Sequence, residues 1–313
     1  MAYDPAKAIG HSVPDKATRW NRRDVLLYAV GIGAKATDLN MVYELDPNFS
    51  VFPTFATVLN FRGTSQDVID FNGAFKASPI PGLPPLEPSR VLHATMSVEI
   101  LRELPPDSNG DGWKLTNRII GIHENRSGII IENEIMLVDP NGTPYTRMIS
   151  GSFNIGAKAL GKPFSKAIIR PPQAKLPPKD KAPDHVVRDG TTFEQAAVYR
   201  LSGDYNPLHI DPAIGKRAGF GGAILHGLST YGTAARAIIA KVGGGDPRSL
   251  KAIGGRFTSP VKPGDSLEIS IWEMGPGPNG TVEVAFACKD LTSGKMAISN
   301  GVAHVATKAS SRL

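Results

Sequence analysis

The sequence predicts an α+β protein made by duplication: two units, each an antiparallel sheet with one central helix, packed side by side. Three observations carry this. The chain has 313 residues, 41% of them hydrophobic, enough for two ordinary cores. A proline- and lysine-rich segment, KPFSKAIIRPPQAKLPPKDKAPDHVV (162–187), divides it into parts of comparable size. Both parts run through the same order of elements and close on similar strands, MISGSFNI and AISNGVAHV. The expected organisation is therefore a first unit over 1–161, a linker over 162–187 and a second unit over 188–313.

In the first unit, RRDVLLYAVGIG (22–33) is a helical apolar stripe that ends in glycines and passes into a polar loop. PTFATVLNF (53–61) is apolar but too short to assign. LTNRIIGIHE, GIIIENEIMLVD and YTRMISGSFNIGA then read as strands, the last two separated by a turn at PNGT (140–143). In the linker, proline removes backbone donors and fixes φ, so the segment should run extended over the surface.

The second unit opens on TTFEQAAVYRLSGD (191–204), a helix with Thr191 or Thr192 as its N-cap. GGAILHGLSTYGTAARAIIAKV (221–242) is long and apolar on all sides, which predicts a buried helix. SLEISIWEMG, VEVAFACKD and KMAISNGVAHVAT complete the unit as strands with turns at PNGT and TSG.

Composition narrows the function. No apolar run approaches the roughly 18 residues of a membrane span, and the N-terminus lacks the charged start and apolar core of a secretory signal; a soluble, non-secreted protein is expected. The lone Cys288 permits no internal disulfide and no multi-cysteine zinc site. The net charge is +6, but 35 Lys+Arg are dispersed among 29 Asp+Glu, with no basic stripe interleaved with aromatics, so nucleic acid is not the expected partner. A positive surface suits a small polyanion such as a phosphorylated cofactor.

Several motifs carry less than they suggest. Gly31-Ile32-Gly33-Ala34-Lys35-Ala36 matches a dinucleotide fingerprint, but it follows a helix instead of a strand. Gly227-Leu228-Ser229 begins like a nucleophile elbow with its second glycine one place late, at Gly232; Ser229 is expected to face a helix neighbour. Asp204, His209 and Asp211 have no second cluster of His or Cys to complete a metal site, so no metal is expected.

SGDYNPLHIDP (202–212) is more informative. Pro207 disfavours helical geometry at Asn206, so the chain must leave the preceding helix extended. In a simple strand, Asp204 and His209 would face opposite sides. A turn at Asp-Tyr-Asn-Pro, braced by the Asn206 side chain, brings them back together. A carboxylate and an imidazole then face one small volume and can hold a water between them for acid/base chemistry. On this stretch alone the bland alternative weighs equally: Asp204 caps a helix and His209 is a buried, hydrogen-bonded histidine.

YRLSGDYNPLHIDP (199–212) resembles the signature of the type 2, (R)-specific enoyl-CoA hydratases of the MaoC-like family, in their peroxisomal monofunctional form. The resemblance continues through GFGGAILHGLSTYG (219–232) and GGRFTSPVKPGDSLEISIW (254–272), and GIGAKATDLNMVYELDPNFSVFPTF (31–55) is similar to the family's N-terminal repeat. It implies a double hot-dog fold, two sheets each wrapped round a helix, with the catalytic signature only in the second; the degenerate first repeat makes room for a long or bulky acyl tail. It also implies reversible hydration of trans-2-enoyl-CoA to (3R)-3-hydroxyacyl-CoA by Asp204 and His209. In that scheme Asn206 helps to hold the water, and Gly227 gives its N–H to the thioester carbonyl. Tyr199, Arg200 and His226, with Gly227, would bind substrate. No cofactor is implied, since CoA is part of the substrate, and a homodimer is expected. Ser311-Arg312-Leu313 is a conservative variant of a peroxisomal address, which would engage an import receptor. The rivals are a hot-dog acyl-CoA thioesterase and a non-catalytic acyl-CoA-binding protein.

Overall fold

A computed structural model of the chain describes residues 3–74, 79–87, 90–157 and 163–307; Ser311-Arg312-Leu313 lies outside them. The strands are β1 (Ser12–Ala17), β2 (Val91–Ile100), β3 (Lys114–Asn125), β4 (Gly128–Val138), β5 (Pro144–Ile155), β6 (Ser165–Ala167), β7 (His185–Gly190), β8 (Leu250–Phe257), β9 (Ser266–Pro276), β10 (Val282–Asp290) and β11 (Met296–Val305). The helices are α1 (Arg22–Gly31), α2 (Leu39–Val42), α3 (Ala56–Arg62), α4 (Phe71–Ala74), α5 (Gln195–Arg200), α6 (Pro212–Arg217) and α7 (Gly227–Lys241).

The strands form one continuous sheet in the order β1-β3-β4-β5-β2-β8-β11-β10-β9-β7, with β6 beside β3. Reading outward from the β2–β8 junction, each half repeats the same succession: β2 answers β8, β5 answers β11, β4 answers β10, β3 answers β9 and β1 answers β7. The junction is antiparallel, running from Thr95 opposite Arg256 to Glu99 opposite Ala252. The double hot-dog arrangement is therefore two repeats fused edge to edge, which removes one free edge from each. α7 is the central helix of the second repeat and is buried along most of its length. Its counterpart in the first is a 3-10 turn, Pro53–Phe55, running into the short α3; these residues are almost entirely buried.

One hydrophobic core serves both repeats, and Phe55 and Leu59 belong to the same cluster as Tyr199, Tyr231 and Ile269. α1 and α7 meet closely where a Cβ on Gly232 would run into Ile32. Carbonyls at the end of α1 are taken up by the second repeat: Ser229 Oγ donates to Gly31 O (2.9 Å), Gln195 Nε2 to the same oxygen (3.2 Å) and Thr233 Oγ1 to Ile32 O (3.1 Å). These bonds satisfy groups that a helix C-terminus leaves unpaired. Gly31-Ile32-Gly33 is thus a helix closure, with Gly33 at φ +85° and Ala34 N donating to Ala29 O.

One expectation needs correcting. The helix read over 191–204 is confined to α5, and neither Thr191 nor Thr192 caps it, since Glu194 precedes it without a side-chain cap. Thr191 Oγ1 instead donates to Asp265 O (2.8 Å) and accepts from Gly264 N (2.9 Å), tying two loops together. Between β6 and β7 the proline-rich segment has neither helix nor strand. It is pinned to the second repeat by Lys175 with Glu283 (2.8 Å) and by Trp272 Nε1 donating to Lys181 O (3.0 Å).

Candidate functional site

After α5 the chain turns at Gly203, whose φ of +138° favours glycine. A Cβ there would lie 2.8 Å from Arg62 Cβ, so the turn rests on the end of α3 in the first repeat. Arg62 is held in place by Asp24 at 2.8 Å, both side chains being buried. Asp24 is also half of the capping box that starts α1, with Asn21 as the other half.

Asp204 follows, buried, and its Oδ1 accepts from Asn206 N (3.2 Å). Asn206 Oδ1 accepts from Leu208 N (3.0 Å) and so caps a 3-10 turn, Pro207–His209, with Pro207 at its first position. The Asn206 amide Nδ2 is the end left for a ligand. The 3-10 turn carries His209 back beside Asp204. His209 Nδ1 lies 2.9 Å from Ile224 O; a carbonyl only accepts, so Nδ1 carries the hydrogen and Nε2 the lone pair. A carboxylate oxygen of Asp204 and ring nitrogens of His209 and His226 all lie within 4.8 Å of one another, a span that one water bridges.

His226 is the last residue before α7 and is almost fully buried. Its Nε2 donates to Asp204 O (3.1 Å), and its ring stacks on that of His209 with centroids 3.7 Å apart and planes at 27°. Tyr199 lies behind it, ring centres 4.8 Å apart, and Tyr28 of the first repeat lies 5.8 Å from Tyr199. A column of rings therefore runs from α1 to His209.

Burial dominates the electrostatics. It raises the proton affinity of the Asp204 carboxylate, which the charge of His209 and the Asn206 N–H only partly offset. It lowers that of His209 against the opposing effects of Asp204 and Ile224 O. His226 is pushed well below the ordinary histidine range, first by burial and then by His209. All three groups are driven toward their uncharged forms.

Gly227 is the first residue of α7 and is exposed. Its N–H has no partner within the helix, and the helix N-terminus adds a partial positive charge. The Phe257 ring lies 3.3 Å from where a Cβ of Gly227 would be, so any side chain at this position would press on that ring. Such an amide can stabilise negative charge developing on a carbonyl oxygen.

Asp211 and Ser229 are engaged elsewhere. Asp211 caps α6 through Ala213 N (2.7 Å), and Ser229 faces α1 as described. The Arg200 guanidinium is 5.2 Å from the centre of the Tyr205 ring, and Tyr199 is fully buried behind His226. Asp24, Arg62 and Tyr28 had no local signal as neighbours of this loop, except that Asn21-x-x-Asp24 is legible as a capping box.

A family model described as MaoC like domain matches residues 175–300, and one described as MFE-2 hydratase 2 N-terminal domain matches residues 19–156. A probable enoyl-CoA hydratase 2 of Dictyostelium discoideum is 34% identical over 310 residues, covering 97% of each chain. The peroxisomal enoyl-CoA hydratase 2 of Arabidopsis thaliana is 35% identical over 288 residues, covering 85% of this chain and 86% of its own. The crystal structure of a MaoC-like dehydratase from Phytophthora capsici superposes with a TM-score of 0.87 at 36% identity, covering 99% of this chain and 100% of that one. With both repeats matched and relatives aligned over nearly their full lengths, the chain belongs to the MaoC-like dehydratase family.

Proposed function

We propose that this protein hydrates trans-2-enoyl-CoA reversibly to (3R)-3-hydroxyacyl-CoA in fatty-acid β-oxidation, in the peroxisome. The observation that carries the reaction is the meeting of Asp204 and His209 over the space of one water beside the open N-terminus of α7. The reaction named in relatives such as the Dictyostelium and Arabidopsis proteins supports it.

In this reading the thioester carbonyl accepts from Gly227 N–H, which draws electron density from C3. A water held by Asp204, His209 and Asn206 Nδ2 attacks C3, and the lone pair on His209 Nε2 takes one of its protons. Negative charge moves to the thioester oxygen, where an aligned amide contributes about 3 kcal/mol to lowering the barrier. Asp204 balances the imidazolium until the proton passes to C2 on the same face. One water has then been added, nothing is oxidised, and the histidine is neutral again. The step requires neither metal nor nicotinamide. The first repeat takes the acyl tail, the protein acts as a homodimer, and Ser311-Arg312-Leu313 serves as the import address. A fluorescent fusion with and without these three residues tests the last point.

The reaction is tested with trans-2-decenoyl-CoA, following loss of the conjugated absorbance and the configuration of the product. The (3R) alcohol is expected, with Asp204→Asn and His209→Gln each lowering turnover by about 100-fold or more while folding is retained. Release of free CoA thiol would indicate a thioesterase. Saturable binding without turnover would indicate a carrier. Near-normal turnover in either variant would remove that residue from the mechanism.

A further inference from the structure

We infer that His226 is a positioning residue that fixes Asp204 and His209 relative to each other and to the start of α7, its stacked ring holding His209 and its Nε2–H holding the main chain at Asp204. The inference rests on the acid/base reading of Asp204 and His209.

The residue before a helix ordinarily carries a short polar side chain that accepts from the first turn. His226 stands in that position and makes no such bond. Its side chain reaches instead to Asp204 O, 22 residues earlier (3.1 Å). Because that acceptor is a carbonyl, Nε2 must carry the hydrogen and Nδ1 the lone pair. Nδ1 is buried and has no hydrogen-bond partner among the described residues, so the ring is held by its other nitrogen and by ring packing. His209 stacks on the ring at 3.7 Å between centres, and the tilted Tyr199 ring lies 4.8 Å away. His226 is 1% exposed, which leaves its side chain little surface for direct contact with a substrate.

Two consequences follow for the chemistry. Asp204 O, His226 and Gly227 N–H belong to one rigid unit, so the carboxylate and the amide at the start of α7 keep their spacing. The neutral ring of His226 covers His209 at 3.7 Å between centres and keeps water from it, which favours the uncharged imidazole. The charged or titratable groups acting on His226 are His209, Arg200 and the main chain of Asp204, with Tyr199 packed beside its ring.

Two substitutions separate the handles. His226→Phe keeps a ring between His209 and Tyr199 and has no donor for Asp204 O. His226→Gln keeps a donor of comparable reach and removes the ring. With trans-2-decenoyl-CoA, the phenylalanine variant should lose about 10- to 100-fold in kcat at nearly unchanged KM. The glutamine variant should recover part of that loss, with the acidic limb of its kcat profile moved to higher pH as water replaces the ring against His209. Unchanged kcat in the phenylalanine variant, an unmoved limb in the glutamine variant, or a rise in KM alone in either overturns the inference.

A measurement on the unaltered protein does not depend on how the variants fold. Nitrogen-15 NMR of the imidazoles should show His226 with hydrogen on Nε2 and His209 with hydrogen on Nδ1, and either opposite tautomer overturns the assignment. If the unaltered protein fails to hydrate enoyl-CoA, the acid/base reading falls, while the tautomers still report on the His226 contacts.

Discussion

In the proposed mechanism His209 must be neutral at Nε2 to receive a proton from water, and its environment favours that form. Burial lowers its pKa from the ordinary 6.5, with Asp204 and Ile224 O opposing. As pH falls, an exposed histidine would be half protonated at 6.5; His209 should stay neutral to lower values. The kcat profile should therefore keep its plateau through pH 6.5 and lose activity only below it. Asp204 titrates from the other direction, its carboxylate raised by burial. Its protonation as pH falls removes the counter-charge to the imidazolium, so it adds to the same acidic limb, and the two steps belong to the pair. Measured kcat between pH 5 and 9 checks this, and an acidic limb centred at or above 6.5 would contradict it. The meeting of these side chains is legible from Pro207 and Asn206 because turn chemistry is local. Arg62 under Gly203 and His226 behind His209 are not legible, because tertiary contacts decide what an arginine or histidine touches.

At the scale of elements, the seat of α7 on α1 is set by one small residue. Glycine within a helix costs about 1 kcal/mol relative to alanine, so Gly232→Ala would stabilise an isolated helix. Here the added Cβ would run into Ile32 and come within 3.3 Å of Tyr28 Oη, and overpacking of this kind costs about 1–3 kcal/mol. The substitution should therefore lower Tm despite the better helix former, as thermal denaturation would show; a higher Tm would mean that the helices separate freely. The length and all-round apolar character of α7 make it readable as a buried helix. β3, β4, β5, β9, β10 and β11 are readable from runs of branched and apolar residues between turns. β8 is harder, because Gly254 and Gly255 interrupt it. At Gly255 a Cβ would come 2.9 Å from Ile298 Cγ2, so the glycine reflects close packing with β11 and not a break in the strand. β1 and β7 are short strands at the ends of the sheet, where fewer buried positions leave a weak alternation.

At the scale of the molecule, the halves look separable along the chain but are joined in space. Asp204, His209, His226 and Gly227 all come from the second repeat, yet their supports cross the junction: Gly203 rests on Arg62, Tyr199 packs on Tyr28, and α7 donates from Ser229 and Thr233 to the end of α1. A fragment of residues 162–313 would contain the whole acid/base motif while exposing β8 along its pairing edge and one side of the shared core. An unpaired edge beside open apolar surface favours association over folding. Such a fragment should lack a cooperative thermal transition and hydratase activity. Coexpression with residues 1–161 should restore both, since the interface is built from antiparallel pairing and helix packing that do not require a covalent link. Activity in the isolated fragment would mean that the first repeat only accommodates the acyl tail. Activity only in the reconstituted pair would mean that it also holds the catalytic loop, giving a physical reason to keep a repeat that lacks the Asp–His motif.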